Sequence, residues 1–298
     1  MTNSKPKYSI CMCNYNMSDT IERSLRSLLE QLDERYEVVL VDDGSSDNSV
    51  SVVEKLMREY ENLRIVELDR DPERKLGSTR NIAVKEAVGD FVILHLDCDD
   101  VFGPHIDDFV QVFHRIERAV GHDILLSGQH INIGNREFLL SHGPYLNLYR
   151  GEDRNLWSRL GKINAWIPIE HVDFITRLPK KTKTKFVKNI VDTFDHMKND
   201  FRSGLGLLEY FNYEMGGRAN FSRKLFIFRL AMLVPSWFMS IFDSRIPTEG
   251  TLGGPKEFAD YRDKMKGTYY DIMNRLGKDT SMSFLKNSEA KKIFSNNS

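Results

Sequence analysis

Apolar runs and amphipathic stretches alternate along the first 120 residues. Residues 8–13 (Tyr-Ser-Ile-Cys-Met-Cys) form a short apolar run and read as a strand. Asp19 then opens a helix whose apolar positions Ile21, Leu25, Leu28, Leu29 and Leu32 share one face. Residues 37–41 are a short β-branched run, hence a second strand. Gly44-Ser45-Ser46-Asp47 breaks that strand and caps a helix bearing Val50, Val53, Leu56 and Met57. A third strand covers 64–68. A helix over 78–87 is stopped by Gly89, and 91–96 is the fourth and most hydrophobic strand. Pro104 starts a further helix with Phe109, Val112, Phe113 and Ile116 on its face. The alternation predicts an α/β fold, Rossmann-like, with a mostly parallel sheet flanked by helices.

After about residue 120 the pattern loosens. Residues 123–127 suit a strand, and 128–150 suit loop and short strands around Gly134-Asn135 and His142-Gly143-Pro144. Trp157 and Leu160 fit the core face of a helix led by Glu152 and Asp153. Beyond Pro179 the residues Lys180, Lys181, Lys183, Lys185 and Lys188 make a basic stretch, and helical patterns follow. This divides the chain into 1–184, an α/β domain, and 185–298, a mainly helical C-terminal extension. Residues 279–298 are rich in Ser, Asn and Lys and read as frayed. Residues 225–242 carry one charge, Arg229. A central Arg and Pro235 speak against a membrane span. Burial against the α/β domain and a position at a membrane surface both remain, the latter favoured by Trp237 with Arg218, Arg223 and Lys224 nearby.

Charge narrows the partners. The chain has 298 residues, with 42 Lys and Arg against 43 Asp and Glu. Near-zero net charge implies no long-range attraction to nucleic acid, and no nucleic-acid partner is expected. Cys11 and Cys13 lie too close to pair, so three cysteines suggest thiols kept in a reducing cytoplasm. Residues 1–7 are polar and lack the apolar stretch of a signal peptide.

Clustered aspartates carry the chemistry. Asp97-Cys98-Asp99 follows the fourth strand, and on extended backbone i and i+2 point the same way. Two converging carboxylates suit Mg2+ or Mn2+, ions that commonly bridge to a phosphate. Asp42-Asp43-Gly44-Ser45 ends a neighbouring strand, where a carboxylate accepts from a base N–H or a ribose hydroxyl. Neither a G-x-G-x-x-G nor a P-loop is present. Glu152-Asp153 at a helix N-terminus also has a plain reading, about 0.3–1 kcal/mol of favourable dipole interaction.

Taken in order, these segments resemble the family 2 glycosyltransferases, inverting enzymes of the GT-A fold. The strand and turn ending Cys13-Asn14-Tyr15-Asn16 match the family's apolar strand and Pro-Thr-Tyr-Asn, with Tyr15 and Asn16 agreeing. Asp42-Asp43-Gly44-Ser45-Ser46-Asp47 is similar to its nucleotide-binding motif. Gly77 with Arg80-Asn81 is similar to its Gly…Arg-Asn motif, whose Arg lies near the diphosphate. Leu96-Asp97-Cys98-Asp99-Asp100 resembles its metal-binding D-x-D, and the segment from Gly151 to Leu160 resembles its Glu-Asp helix. The resemblance covers roughly 7–180. It implies Asp153 as general base, Asp97 and Asp99 at the metal, and Tyr15, Asn16, Asp42, Asp43, Arg80 and Asp97 around a UDP- or GDP-linked sugar. Glu152 and Arg177 would support the acceptor or the diphosphate. Many relatives place a His after an Arg downstream, whereas here Arg177 is followed by Lys180, and His171 suits core or surface. The Gln-x-x-Arg-Trp signature of processive synthases is absent, which favours transfer of single sugars. The expected acceptor is a glycan or lipid-linked glycan, and the expected location cytoplasmic, peripheral on the inner membrane face. A nucleotidyltransferase of similar fold would need a basic Gly-rich loop after the first strand, and Asn14-Tyr15-Asn16 is none. A silent sugar-nucleotide-binding module would be expected to lack Asp153 or Asp99.

Overall fold

The computed structural model describes residues 5–179, 185–215 and 223–295. Strand β1 (Tyr8–Asn14) leads through helix α1 (Ile21–Leu29) to β2 (Tyr36–Asp42). The two strands pair in parallel from Tyr8↔Tyr36 to Asn14↔Asp42. Helix α2 (Ser49–Met57), β3 (Leu63–Glu67), α3 (Leu76–Glu86) and β4 (Phe91–Leu94) complete the parallel set. After β5 (Asp100–Phe102) come α4 (Ile106–Val120), β6 (Leu125–Ser127), β7 (Asn132–Asn135), α5 (Arg136–Ser141), α6 (Glu152–Lys162), β8 (Trp166–Pro168) and β9 (Ile175–Arg177). The main sheet runs β3-β2-β1-β4-β7-β6-β8, with β7 antiparallel to both neighbours, and β5 pairs β9 separately.

The pleat of β1 shows why this sheet is covered on both faces. Ile10 and Met12 enter one core with Leu25, Leu28, Phe109 and Phe113. Cys11 enters the other with Val84, Val92, Leu156 and Trp166. Alternate side chains of a strand point to opposite faces, and a parallel sheet buries both.

Several local expectations shift. The fourth strand stops at Leu94 rather than 96, because His95 turns left-handed at φ 71° and re-aims the chain. Helix α4 begins at Ile106, not Pro104. Helix α2 has Asn48 at its N-cap with no side-chain cap, while Asp47 accepts from the backbone N–H groups of Ser18 and Ser49. Helix α3 ends before Gly89, whose role is a close approach: a Cβ there would lie 2.8 Å from the Ser9 nitrogen. Helix α5 went unread because six residues are too few to show a period.

Helices α7 (Lys185–Arg202), α8 (Leu207–Met215) and α9 (Arg223–Ser240) enclose a small core of Met197, Phe201, Leu205, Tyr210 and Leu233. Helices α10 (Pro255–Met265), α11 (Tyr269–Arg275) and α12 (Ser288–Ser295) return to the α/β body. Phe258 and Tyr261 of α10 stack with Trp166, and Tyr269, Met273 and Phe294 join the core that holds Phe109. Residues 279–295 are therefore not frayed: Leu285, Ala290 and Phe294 are buried, apolar anchors in a polar stretch. Lys180, Lys181 and Lys183, Arg218 and the 296–298 tip lie outside the described residues, as do the side chains of Lys185, Lys188 and Lys224.

Candidate active site at the carboxyl ends of the strands

The paired ends of β1 and β2 make the first wall. Asp42 is buried, and its carboxylate accepts from Asn14 Nδ2 (2.6 Å), the Ser45 N–H (2.8 Å) and Ser45 Oγ (2.7 Å). It therefore holds the loop rather than facing outward. Asn16 does similar work: at φ 52° its Oδ1 accepts from the Ser46 N–H at 2.8 Å. Asp43 points the other way, between Arg70 (3.0 Å) and Arg74 (2.6 Å). Tyr15 is 44% exposed, with Arg70 over its ring at 4.6 Å. Arg70 and Arg74 escaped the sequence reading because they lie in an aperiodic polar stretch.

The turn after β4 makes the second wall. Carboxylate oxygens of Asp97, Asp99 and Asp100 all lie within 4.8 Å of one another. Asp99 and Asp100 are buried, and Asp97 is partly exposed. Backbone pairing sets Asp100 opposite Arg177. Its guanidinium reaches Asp97 at 2.8 Å and Asp100 at 2.9 Å, with Asp99 at 4.0 Å. The cluster thus has three carboxylates where the D-x-D reading named two. His171 stands apart: buried among Phe109, Phe174 and Phe294, its Nε2 accepts from the Gln129 N–H. Burial lowers its pKa.

Helices α3 and α6 meet in the third wall. Gly77 donates to the Leu148 carbonyl at 3.0 Å, and a Cβ there would lie 1.9 Å from the Leu146 oxygen. Asn81 and the Tyr145 backbone exchange two hydrogen bonds at 2.7 and 2.8 Å. These contacts fix the segment leading into α6. Between them Arg80 meets Glu152 at 2.6 Å and covers the Tyr145 ring at 5.6 Å. The buried His95 accepts at Nε2 from Arg80 (3.4 Å) and lies 3.0 Å from the Tyr145 hydroxyl. Burial, then the Arg80 charge, holds His95 well below its ordinary range, so it is neutral. Burial also pushes the Glu152 carboxyl up to about 7, with Arg80 opposing and Asp153 adding. Asp153 is partly exposed and accepts from the Arg154 N–H at 2.6 Å.

Cys13 lies at the meeting point. Its thiol is pushed up to about 12, first by burial, with Arg80 opposing and Asp97, Asp43 and Glu152 adding. Its backbone ties β1 to the acidic turn, bridging Asp97 and accepting from Cys98 Sγ at 3.4 Å.

The family model described as glycosyl transferase family 2 matches residues 9–163. The poly(ribitol-phosphate) beta-glucosyltransferase of Bacillus spizizenii is 37% identical over 99 residues, 33% of this chain and 15% of that protein. The putative glycosyltransferase EpsE of Bacillus subtilis is 30% identical over 127 residues, 42% of this chain and 45% of that protein. The chain spans less than half the length of these curated relatives. Among solved structures, the mannosyltransferase PcManGT of Pyrobaculum calidifontis with GDP-Man and Mn2+ superposes with a TM-score of 0.52 at 15% identity, covering 88% of this chain and 83% of that one. Staphylococcus aureus TarS 1–349 with UDP-GlcNAc superposes with a TM-score of 0.51 at 18% identity, covering 91% and 82%.

Proposed function

The chain belongs to glycosyl transferase family 2 and has the GT-A fold; from there we propose that it moves one sugar from a nucleoside-diphosphate sugar to an acceptor hydroxyl with inversion at the anomeric carbon. The observation that carries this reading is that one sheet edge brings the acidic segments together: β2 ends at Asp42 beside Asn14, Cys13 bridges Asp97, and Arg80 joins Glu152 to His95 of the turn after β4. Ligands of open α/β sheets bind outside the carboxyl ends of the strands.

The donor is UDP- or GDP-linked, the two nucleotides held by the neighbours above. Exposed Tyr15 offers a face for the base, and Asp43 an acceptor for base or ribose. Asp42 and Asn16 keep that loop in shape. Arg80 and Arg177 place positive charge where a diphosphate would lie. Three clustered carboxylates are the hard oxygen set that Mg2+ or Mn2+ takes, so Asp97, Asp99 and Asp100 fit such an ion. When bound, it supplies positive charge against the leaving diphosphate.

Asp153 is the general base. Glu152, though its pKa is nearer neutrality, is buried and engaged by Arg80, and reach to the proton decides before pKa does. Asp153 takes the proton of the acceptor hydroxyl as that oxygen bonds to the anomeric carbon. The bond from that carbon to the diphosphate oxygen breaks, and the nucleoside diphosphate leaves with the electron pair.

The acceptor is a glycan or lipid-linked glycan, met at the cytoplasmic face of a membrane. Among the described residues no helix is long and apolar enough to cross a membrane. Helix α9 instead exposes Ile227, Leu230, Val234 and Phe238 along one side, continued by Ile241 and Phe242. Arg229 turns inward to Tyr210, and exposed Arg223 and Arg245 flank the stripe. An apolar stripe with basic ends suits an anionic bilayer surface.

Calorimetry with UDP and GDP, with and without Mn2+, tests the core of this reading. Wild type should bind at least one nucleotide more tightly with Mn2+, and Asp99→Asn should erase that gain and abolish transfer. Undiminished Mn2+ dependence or activity in the variant would reject the metal assignment.

A further inference from the structure

A cavity of about 430 Å3 lies beside α6, within the roughly 300–1,000 Å3 of small-molecule sites. Gly151, Arg154, Asn155 and Ser158 line it from α6. Their spacing puts them on one face of the helix. Asp153 does not line it. The opposite wall comes from outside the family match: Asn199 and Asp200 of α7, Ser203 just after it, Glu209 of α8, and the 246–254 loop with Thr248 and Thr251.

The lining mixes polar and apolar groups, and its charges balance. Arg150 and Arg154 are its cations, Asp200 and Glu209 its anions. Arg154 is paired with Asp200, and Arg150 with Asp192 behind the wall. The rest mixes alcohols and amides with apolar Leu148, Leu205 and Ile246, and Phe258 is the aromatic surface among the described residues. A polyanion would meet no excess of positive charge here, whereas hydroxyls can both donate to the carboxylates and accept from the amides.

We infer that this cavity between α6 and the helical extension is the acceptor subsite, and that it takes a neutral, hydroxyl-rich saccharide rather than a phosphate-bearing polymer. The inference rests on the glycosyl-transfer reading above. It makes the extension the part that selects the acceptor, while the family-matched part holds the donor. The sugar would enter past Gly151, so its reactive hydroxyl comes round the N-terminus of α6 to Asp153.

Saturation-transfer NMR on the full chain with Mn2+ and UDP or GDP tests it, using neutral methyl disaccharides and their phosphorylated counterparts as probes. Two variants fill the cavity from different segments of the extension, Ser203→Phe and Thr251→Trp. At least one neutral disaccharide should bind wild type, and its affinity should fall tenfold or more in both variants. Nucleotide affinity should stay within twofold, which also shows that the variants are folded. Binding of phosphorylated probes alone, no saccharide binding, or saccharide binding that survives both substitutions would overturn the inference while leaving the donor reading intact. Loss of nucleotide binding in wild type itself would instead count against the glycosyl-transfer reading.

Discussion

At the scale of single residues, Glu152 and Asp153 are adjacent acids that burial treats differently. Glu152 is 4% exposed and closed over by Arg80, while Asp153 keeps access to solvent. Asp153→Asn preserves shape and removes proton acceptance, so turnover should fall by roughly 10²–10⁴ with nucleotide affinity unchanged. Transfer at the wild-type rate would leave Asp153 as a helix-terminal acid only. Glu152 makes a separate prediction about stability. Its folded pKa of about 7 lies above the ordinary 4.5. Between those values the folded chain holds a proton that the unfolded chain releases, so its contribution to stability is full at low pH and is lost as pH rises through about 7. The melting temperature of wild type minus that of Glu152→Gln should therefore decline over that window and then level. A flat difference would show a carboxyl with ordinary titration. The D-x-D pair was legible because it follows an apolar run, and the Glu-Asp pair because it leads an amphipathic helix. Arg177 on Asp97 and Asp100 was not, since 77 residues separate it from Asp100 and only strand pairing joins them.

At the scale of elements, α9 shows how far composition goes. The 225–242 run left burial and membrane contact both open, and the fold buries part of it and leaves part exposed. Leu233 packs with residues of α7 and α8 and Ser236 is buried, while Val234 and Phe238 face out. Co-sedimentation with anionic liposomes should retain wild type and lose most of it in a Val234→Glu, Phe238→Glu double variant, with nucleotide binding unchanged in both. Equal sedimentation of the two would clear the helix of this role, and a concentration-dependent dimer lost in the double variant would assign the stripe to a second copy instead. Tryptophan fluorescence serves less well here. Trp157 and Trp166 stack at 5.5 Å and 7° within the core, so removing them to isolate Trp237 would disturb the fold. Gly77 is a second element-level lesson. Its place in a motif was visible, but the reason, a carbonyl 1.9 Å from where a Cβ would stand, exists only once α3 meets the 144–148 segment.

At the scale of the whole molecule, the family match ends at residue 163 while the fold does not. Phe294 packs on Phe109, the Val172 N–H donates to the Ile293 carbonyl at 2.9 Å, and Phe258 covers Trp166. A fragment of residues 1–184 would uncover both sides of the sheet, so it should lose cooperative thermal unfolding. A cooperative melt within a few degrees of the full chain would show instead that the α/β part stands alone. The sequence by itself determined the β–α order, the strand ends that carry the aspartates, and the helix that begins at Glu152. Those depend on local periodicity and on short polar segments that interrupt it, which neighbours along the chain suffice to set. Only the tertiary structure decided that Asp42 holds a loop while Asp43 faces two arginines, that Asp100 and Arg177 complete the acidic cluster, and that the last helices close the core. Each of those depends on contacts between residues far apart in the chain, whose geometry follows from packing and strand pairing and not from any local pattern.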